Sequence, residues 1–235
     1  MIYTTRQERC PLGEIETWIF DLDNTLYPAS CRLFDQVTVR MTRFICDRLG
    51  VTPERANELR RTYFREHGTT MRGLMIAEKV DPHEFLDYVH EIDLSCVPSD
   101  PALVAALQGL RGHKIVHTNG SVRHAQRLLD HLGISGSFSG IVDIVAAEFD
   151  PKPSLAGYHL LLERHAVDPR RALMAEDIAR NLEPAAQLGM TTAWLPTESD
   201  WAVAESDKDY IHHVVHDLAG FLATAVDLQS TGSNR

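Results

Sequence analysis

Residues Phe20 to Pro28 read FDLDNTLYP and follow the apolar run Thr17-Trp18-Ile19-Phe20. Four residues of strand character run directly into two aspartates spaced two apart, then into a turn closed by proline. Successive side chains of a strand point to opposite faces, so Asp21 and Asp23 emerge on one side. Two like charges held together disfavour each other's ionisation unless a cation sits beside them. The pair is therefore either a solvated turn or half of a cation site, and the remainder of the chain decides between the two.

Beyond this strand, residues 29 to 100 show helical spacing and no strand. Phe34, Val37, Met41, Phe44, Ile45 and Leu49 recur on one face, and Gly50 stands where a left-handed cap would end the helix. Thr52 is a predicted N-cap with Pro53 at the first helical position, opening a helix through Leu59 and Phe64 that stops near Gly68. Asp81, Pro82 and Glu84 repeat the signal as a capping box.

From Asp100 the pattern alternates. Helices are predicted in DPALVAALQGL (100–110), SVRHAQRLLDHLG (121–133), SLAGYHLLLERHAV (154–167) and NLEPAAQLG (181–189). Strands are predicted in KIVHTNG (114–120), IVDIVAAEF (141–149), RALMAEDI (171–178) and TTAWLP (191–196). YIHHVVHDLAGFL (210–222) adds a short strand and a helix, and QSTGSNR (229–235) reads as a frayed tail. Apolar strands alternating with helices predict an α/β fold whose parallel sheet is covered on both faces. The helical stretch is then an insertion: residues 1–27 and 100–235 form the core domain, and residues 28–99 a helical cap domain inserted after the first strand.

The chain has 235 residues, 44% of them hydrophobic and 24% charged, which suits a globular core and excludes a disordered or fibrous class. A net charge of −10 lacks the basic stripe that a nucleic-acid polymer or anionic membrane would need. The cysteines Cys10, Cys31, Cys46 and Cys96 show no C-x-x-C pairing, and neither an apolar leader nor a membrane-length run is present. These features predict reduced thiols in a cytoplasmic protein with no membrane partner; oligomeric state is not encoded in any pattern here.

Ligands of open parallel sheets lie beyond the carboxyl ends of the strands. At those ends stand Asp21 and Asp23, then Thr118, Asn119 and Gly120, then Lys152 in FDPKP, then Glu176 and Asp177. Each signal alone is ordinary turn or helix-start chemistry. All of them in order along one sheet edge make a site for a small phosphate monoester. Asp21, Glu176 and Asp177 offer the hard oxygens that Mg²⁺ prefers. Asp21 is then the candidate nucleophile and Asp23 the proton donor and acceptor, a role that calls for a raised pKa. Thr118 and the N–H groups of Asn119 and Gly120 are candidates to hold the transferring oxygens, with Lys152 offsetting charge.

The four motifs DLDNT (21–25), HTNGS (117–121), PKP (151–153) and EDIARN (176–181) resemble, in order, those of the haloacid dehalogenase superfamily, subfamily IA. The resemblance implies a Rossmann-like core with an inserted helical cap of the C1 type and a Mg²⁺-dependent aspartyl-phosphate mechanism. It implies metal ligation by Asp21, the main-chain carbonyl of Asp23 and Asp177, with Glu176 standing close by in place of a first aspartate. DLDNTLYP (21–28) together with GTTMRGLM (68–75) is similar to the pyrimidine 5′-nucleotidase group, which implies nucleoside monophosphates such as UMP and CMP as substrates. Thr69, Thr70 and Arg72 in that cap segment are then candidate substrate contacts, Arg72 through its guanidinium.

Other small phosphate esters, such as a sugar phosphate, phosphoglycolate or a cofactor phosphate, are alternatives, because the cap selects the leaving group. A haloacid dehalogenase needs neither a metal nor an acid at position 23, and a non-catalytic binding protein would need none of these groups. His212, His213 and His216 lack an accompanying acid or cysteine and read as packing residues, as do His117, Trp18 and Trp194.

Overall fold

The computed structural model describes residues 2–6, 9–197, 202 and 204–232. Its sheet has seven strands: β1 (Tyr3–Thr5), β2 (Thr17–Phe20), β3 (His113–His117), β4 (Gly140–Val142), β5 (Ala172–Glu176), β6 (Thr191–Trp194) and β7 (His213–Val215). Their spatial order is β1-β7-β6-β5-β2-β3-β4. All neighbours are parallel except β1 and β7, which run antiparallel. β2 is flanked by β3 and β5, with Phe20 opposite Val116 on one side and Ala175 on the other. This register brings the carboxyl ends of all three strands level.

The alternation of β2 divides the core into two layers. Trp18 and Phe20 pack with Leu107 of α5 (Pro101–Gly109), Leu128 of α6 (Val122–His131) and Phe221 of the last helix, α9 (Leu218–Gly232). Ile19 faces the other way, onto Tyr158 and Leu161 of α7 (Leu155–Arg164) and Leu182 of α8 (Leu182–Gln187). Apolar side chains on both faces are what a parallel sheet covered by helices requires. No helix among the described residues is long and apolar enough to cross a membrane, and the four cysteines form no disulfide.

Between β2 and α5 lie the helices α1 (Leu33–Leu49), α2 (Pro53–His67), α3 (Thr70–Glu78) and α4 (Pro82–Val89). Gly50 (φ 64°) and Gly68 (φ 82°) end α1 and α2 in conformations that favour glycine. Thr52 Oγ1 accepts the Arg55 N–H and Thr69 Oγ1 that of Arg72, the N-caps that open α2 and α3. At α4, Asp81 accepts the His83 N–H at 2.9 Å; among the described residues no bond from Glu84 completes a capping box.

Three expectations are corrected. β1, at the N-terminus, was not anticipated; three residues pairing only with three-residue β7 leave little periodicity to read. The strand expected over 141–149 ends at Val142, because Asp143 accepts the N–H groups of Val122 and Ala146 and bends the chain into a turn. The tail expected to fray continues α9 to Gly232. Buried Gln229 secures it, donating to Ile15 O and accepting the Arg111 N–H. Residues 233–235 of that tail lie outside the described residues.

Candidate active site

The strand ends do converge. Asp21, Glu176 and Asp177 are buried, and one carboxylate oxygen from each lies within 4.8 Å of the others. Asp21 leaves β2 with its N–H still bonded to Ala175 O at 2.9 Å, which holds it beside the end of β5. The Lys152 ammonium lies between two of these acids, 2.7 Å from Asp21 Oδ1 and 2.6 Å from Glu176 Oε2, and donates also to His117 O at 2.8 Å. Its three hydrogens are thereby matched to three acceptors. Burial pushes the lysine down, but the Asp21 and Glu176 carboxylates outweigh it and hold the ammonium above its ordinary value.

One ammonium faces three carboxylates, so negative charge remains uncompensated. Burial, then Glu176, push Asp21 up to about 7 against the pull of Lys152. Burial, Glu176 and Asp21 raise Asp177 well above the usual carboxylate range. Glu176 has both oxygens engaged, Oε2 with Lys152 and Oε1 with the Ile178 N–H at 3.2 Å. Asp177 Oδ2 is buried with no hydrogen-bond partner among the described residues. An orphaned carboxylate oxygen beside two further acids is a costly arrangement by itself and fits a hard divalent cation such as Mg²⁺.

The loop after β3 departs in detail from expectation. The Gly120 N–H donates to Thr118 Oγ1 at 2.9 Å, so in this conformation it is turned inward rather than offered to a ligand. The Asn119 side chain accepts the Lys152 N–H at 2.9 Å and fixes the lysine loop to the β3 loop, a function sequence spacing did not disclose. Arg72 lies at the same junction: its guanidinium donates to Phe149 O at 2.9 Å and stands 3.7 Å from Asp150. Thr69 and Thr70 are taken up locally, Thr69 as N-cap of α3 and Thr70 by its bond to Arg60 O.

Asp23 differs most from expectation. Its carboxylate stands apart from the three-acid group: Oδ1 accepts the Tyr27 hydroxyl at 2.7 Å and bonds His124 Nε2 at 2.9 Å. Burial favours the neutral form, yet the His124 charge and the bonds from His124 and Tyr27 prevail, lowering Asp23 to about 2 rather than raising it. The requirement for a raised pKa overlooked these partners. Tyr27 could have been found from its position four residues on in the same turn. His124 lies 101 residues away, and no local pattern marks it. Stacked on it is His90, from the end of α4, with ring centroids 4.2 Å apart and planes within 7°.

Of the histidines set aside as packing residues, His117, His212 and His213 behave so, whereas His216 is exposed. His117 is buried edge-on to Tyr158, His212 bonds Thr192, and His213 bonds Thr5. Trp18 is fully buried, and Trp194 donates from its indole to Asp177 O at 2.8 Å, helping to place that residue.

Comparison with known proteins agrees with this fold. The yeast (Saccharomyces cerevisiae) Phosphate metabolism protein 8 is 29% identical over 138 residues, 54% of this chain and 42% of that protein. The match therefore spans less than half the length of this curated relative. Among solved structures, a 2-haloacid dehalogenase from Pseudomonas syringae is similar with a TM-score of 0.56 at 21% identity, covering 93% of this chain and 99% of that one. A HAD phosphatase from Thermococcus onnurineus gives 0.55 at 18% identity over 79% and 88% of the two chains. A HAD-hydrolase from Bacillus subtilis bound to magnesium gives 0.50 at 14% over 77% and 86%. At such identities the likeness is one of fold: an α/β core with its helical cap. The model of the haloacid dehalogenase-like hydrolases matches residues 15–189, a span that takes in Asp21, Thr118, Lys152 and the Glu176–Asp177 pair, and this chain belongs to that family.

Proposed function

We propose that the protein is a Mg²⁺-dependent phosphomonoester hydrolase working through an aspartyl-phosphate on Asp21, with pyrimidine nucleoside monophosphates such as UMP and CMP as substrates. The observation that carries this reading is the buried Asp177 Oδ2, without a hydrogen-bond partner among the described residues, beside Asp21 and Glu176. Asp21, Asp177 and the main-chain carbonyl of Asp23 would hold the ion, with Glu176 adjacent, and the bound ion would offset the negative charge of the phosphate oxygens. Magnesium bound to the Bacillus relative and the phosphate-related name of the yeast relative are in keeping with it.

In the first half-reaction an Asp21 oxygen bonds to phosphorus as the bond to the leaving oxygen breaks, and Asp23 delivers a proton to that oxygen. Lys152, already on Asp21 Oδ1, keeps the nucleophile aimed and shares its charge. In the second half Asp23 takes a proton from water as that water bonds phosphorus, releasing phosphate and restoring Asp21. His124 and Tyr27, by holding Asp23 low against its burial, favour the form needed for that second step; protonating the leaving oxygen requires one proton to be taken up there first. Thr118 and the loop N–H groups hold the phosphate once Gly120 N–H turns from the Thr118 hydroxyl. Residues 28–99 act as the cap over 1–27 and 100–235, and Arg72 meets the leaving group by exchanging its long contact to Asp150 for the substrate.

The test is a phosphate-release screen with and without Mg²⁺ over UMP, CMP, sugar phosphates and phosphoglycolate. Mg²⁺-dependent release, greatest with UMP and CMP, is expected. Sugar phosphates ranking above both nucleotides would overturn the nucleotide assignment and leave the phosphatase. Asp21→Asn is expected to abolish turnover while the far-ultraviolet circular dichroism is unchanged, since an amide is a poor nucleophile; substantial residual turnover would mean that water attacks phosphorus directly.

A further inference from the structure

We propose that His90 and His124 are positioning residues, a stacked pair through which the cap sets the aim of the Asp23 carboxylate at the leaving-group oxygen. The inference rests on the phosphomonoesterase reading above and adds to it a link between cap and proton transfer. Both hydrogen bonds to Asp23 fall on Oδ1, from Tyr27 and from His124. Two fixed donors on one oxygen set the rotation of the carboxylate and leave Oδ2, on a side chain 17% exposed, as the oxygen open to a substrate.

His124 is 1% exposed, and its other ring nitrogen, Nδ1, has no hydrogen-bond partner among the described residues. A ring bonded at one nitrogen only is free to swing about its own axis unless a neighbour blocks it. That neighbour is His90, lying flat against it at 4.2 Å. His90 is itself fixed: its Nδ1 bonds Ser121 Oγ at 3.2 Å, and its carbonyl accepts from Arg127 at 2.8 Å. Ser121 in turn caps α6, accepting the His124 backbone N–H at 3.3 Å, so one hydroxyl ties the His90 ring and the His124 backbone to the loop after β3. A Cβ at Gly120 would stand 3.2 Å from His124 Cδ2 and 3.7 Å from His90 Cε1, so glycine there leaves room for the pair. His90 ends a cap helix while His124, Ser121 and Asp23 belong to the core. A cap that seats correctly places His90, His90 holds the His124 ring, and the ring holds Asp23.

In the first half-reaction a misaligned acid hinders only those leaving groups that need a proton, which separates this role from general support of the fold. The second half, in which Asp23 draws a proton from water, is common to every ester, so the quantity to compare is kcat/KM, which reports only the steps through departure of the leaving group. The experiment compares Mg²⁺-supported kcat/KM for UMP, whose alkoxide must be protonated, with that for p-nitrophenyl phosphate, whose phenolate departs unaided. His90→Ala, and His90→Gln, which keeps a polar group for Ser121 but has no ring, are expected to lower kcat/KM on UMP by roughly 10²-fold. The kcat/KM of both variants on p-nitrophenyl phosphate should stay near that of the unaltered protein. His90→Phe, which restores a flat ring without the Ser121 bond, should recover most of the loss. Equal losses of kcat/KM on the two esters, or an undiminished kcat/KM for UMP in His90→Gln, would overturn the inference while leaving the phosphatase intact. Release of phosphate from neither ester by the unaltered protein would instead overturn the phosphatase reading and this inference with it.

Discussion

Lys152 shows how much a single side chain can carry. Its ammonium is buried and matched to Asp21, Glu176 and a backbone carbonyl, so no hydrogen is left for water. Removing one partner of such a group strands the others: breaking a buried ion pair costs about 3–5 kcal/mol, because an uncompensated charge remains. Lys152→Met is expected to lower unfolding free energy by about that much in chelator-treated protein, measured by urea denaturation. Part of the deficit should disappear when Mg²⁺ is added, since a bound cation stabilises only the folded state and offsets the same acids. A deficit indifferent to Mg²⁺ would mean that lysine and cation do not share a charge cluster.

Among the elements, the cap depends on how closely α2 and α3 approach. Thr52 announces the start of α2, while Thr69, a candidate substrate contact in the sequence, proves to cap α3; nothing local discloses how the two helices cross. The contact is set by Gly73: a Cβ there would lie 2.3 Å from Tyr63 Cβ and 2.4 Å from its Cγ. The tyrosine has no freedom to retreat, being buried with its hydroxyl donating to Glu78 at 2.6 Å. Gly73→Ala should therefore destabilise the protein by about 1–3 kcal/mol through overpacking, despite alanine's better helix propensity. A urea midpoint unchanged or raised would show that the helices can separate freely. The same packing carries Arg72, one residue away, to Phe149 and Asp150 of the core.

For the molecule as a whole, the far edge of the sheet is closed by the pairing of β1 with β7, and buried histidines lie at that seam. Burial, with His212 beside it, pushes His213 down to about 4, and burial with nearby Arg9 does the same to His212. The folded chain thus keeps these rings neutral where the unfolded chain binds protons. Each therefore contributes stability that is present above pH 6.5 and is lost as pH falls toward 4, at about 1.4 kcal/mol per pH unit. Replacing His213 by Gln, which can still meet Thr5, is expected to flatten the pH dependence of unfolding free energy between pH 6.5 and 4 by about that slope. A parallel pair of curves for the two proteins would show that the ring is charged or solvated in the fold.

The gathering of the candidate site residues was legible in the sequence because a parallel sheet brings its strand ends to one edge. Asp21, Thr118, Glu176 and Asp177 each close or follow a short apolar strand, and that local signal sufficed to place them at one edge; Lys152 is separated by a turn from β4, which ends at Val142, and reaches Asp21 and Glu176 from there. The helices between β2 and α5 were equally legible, since caps and helical spacing are properties of neighbouring residues. Tertiary structure alone decided the state of Asp23, the inward turn of the Gly120 N–H, the clasp of Asn119 on the lysine loop and the stack of His90 on His124. Each of these depends on which atoms meet across long stretches of chain, and hydrogen bonding and desolvation are set by that meeting rather than by residue type.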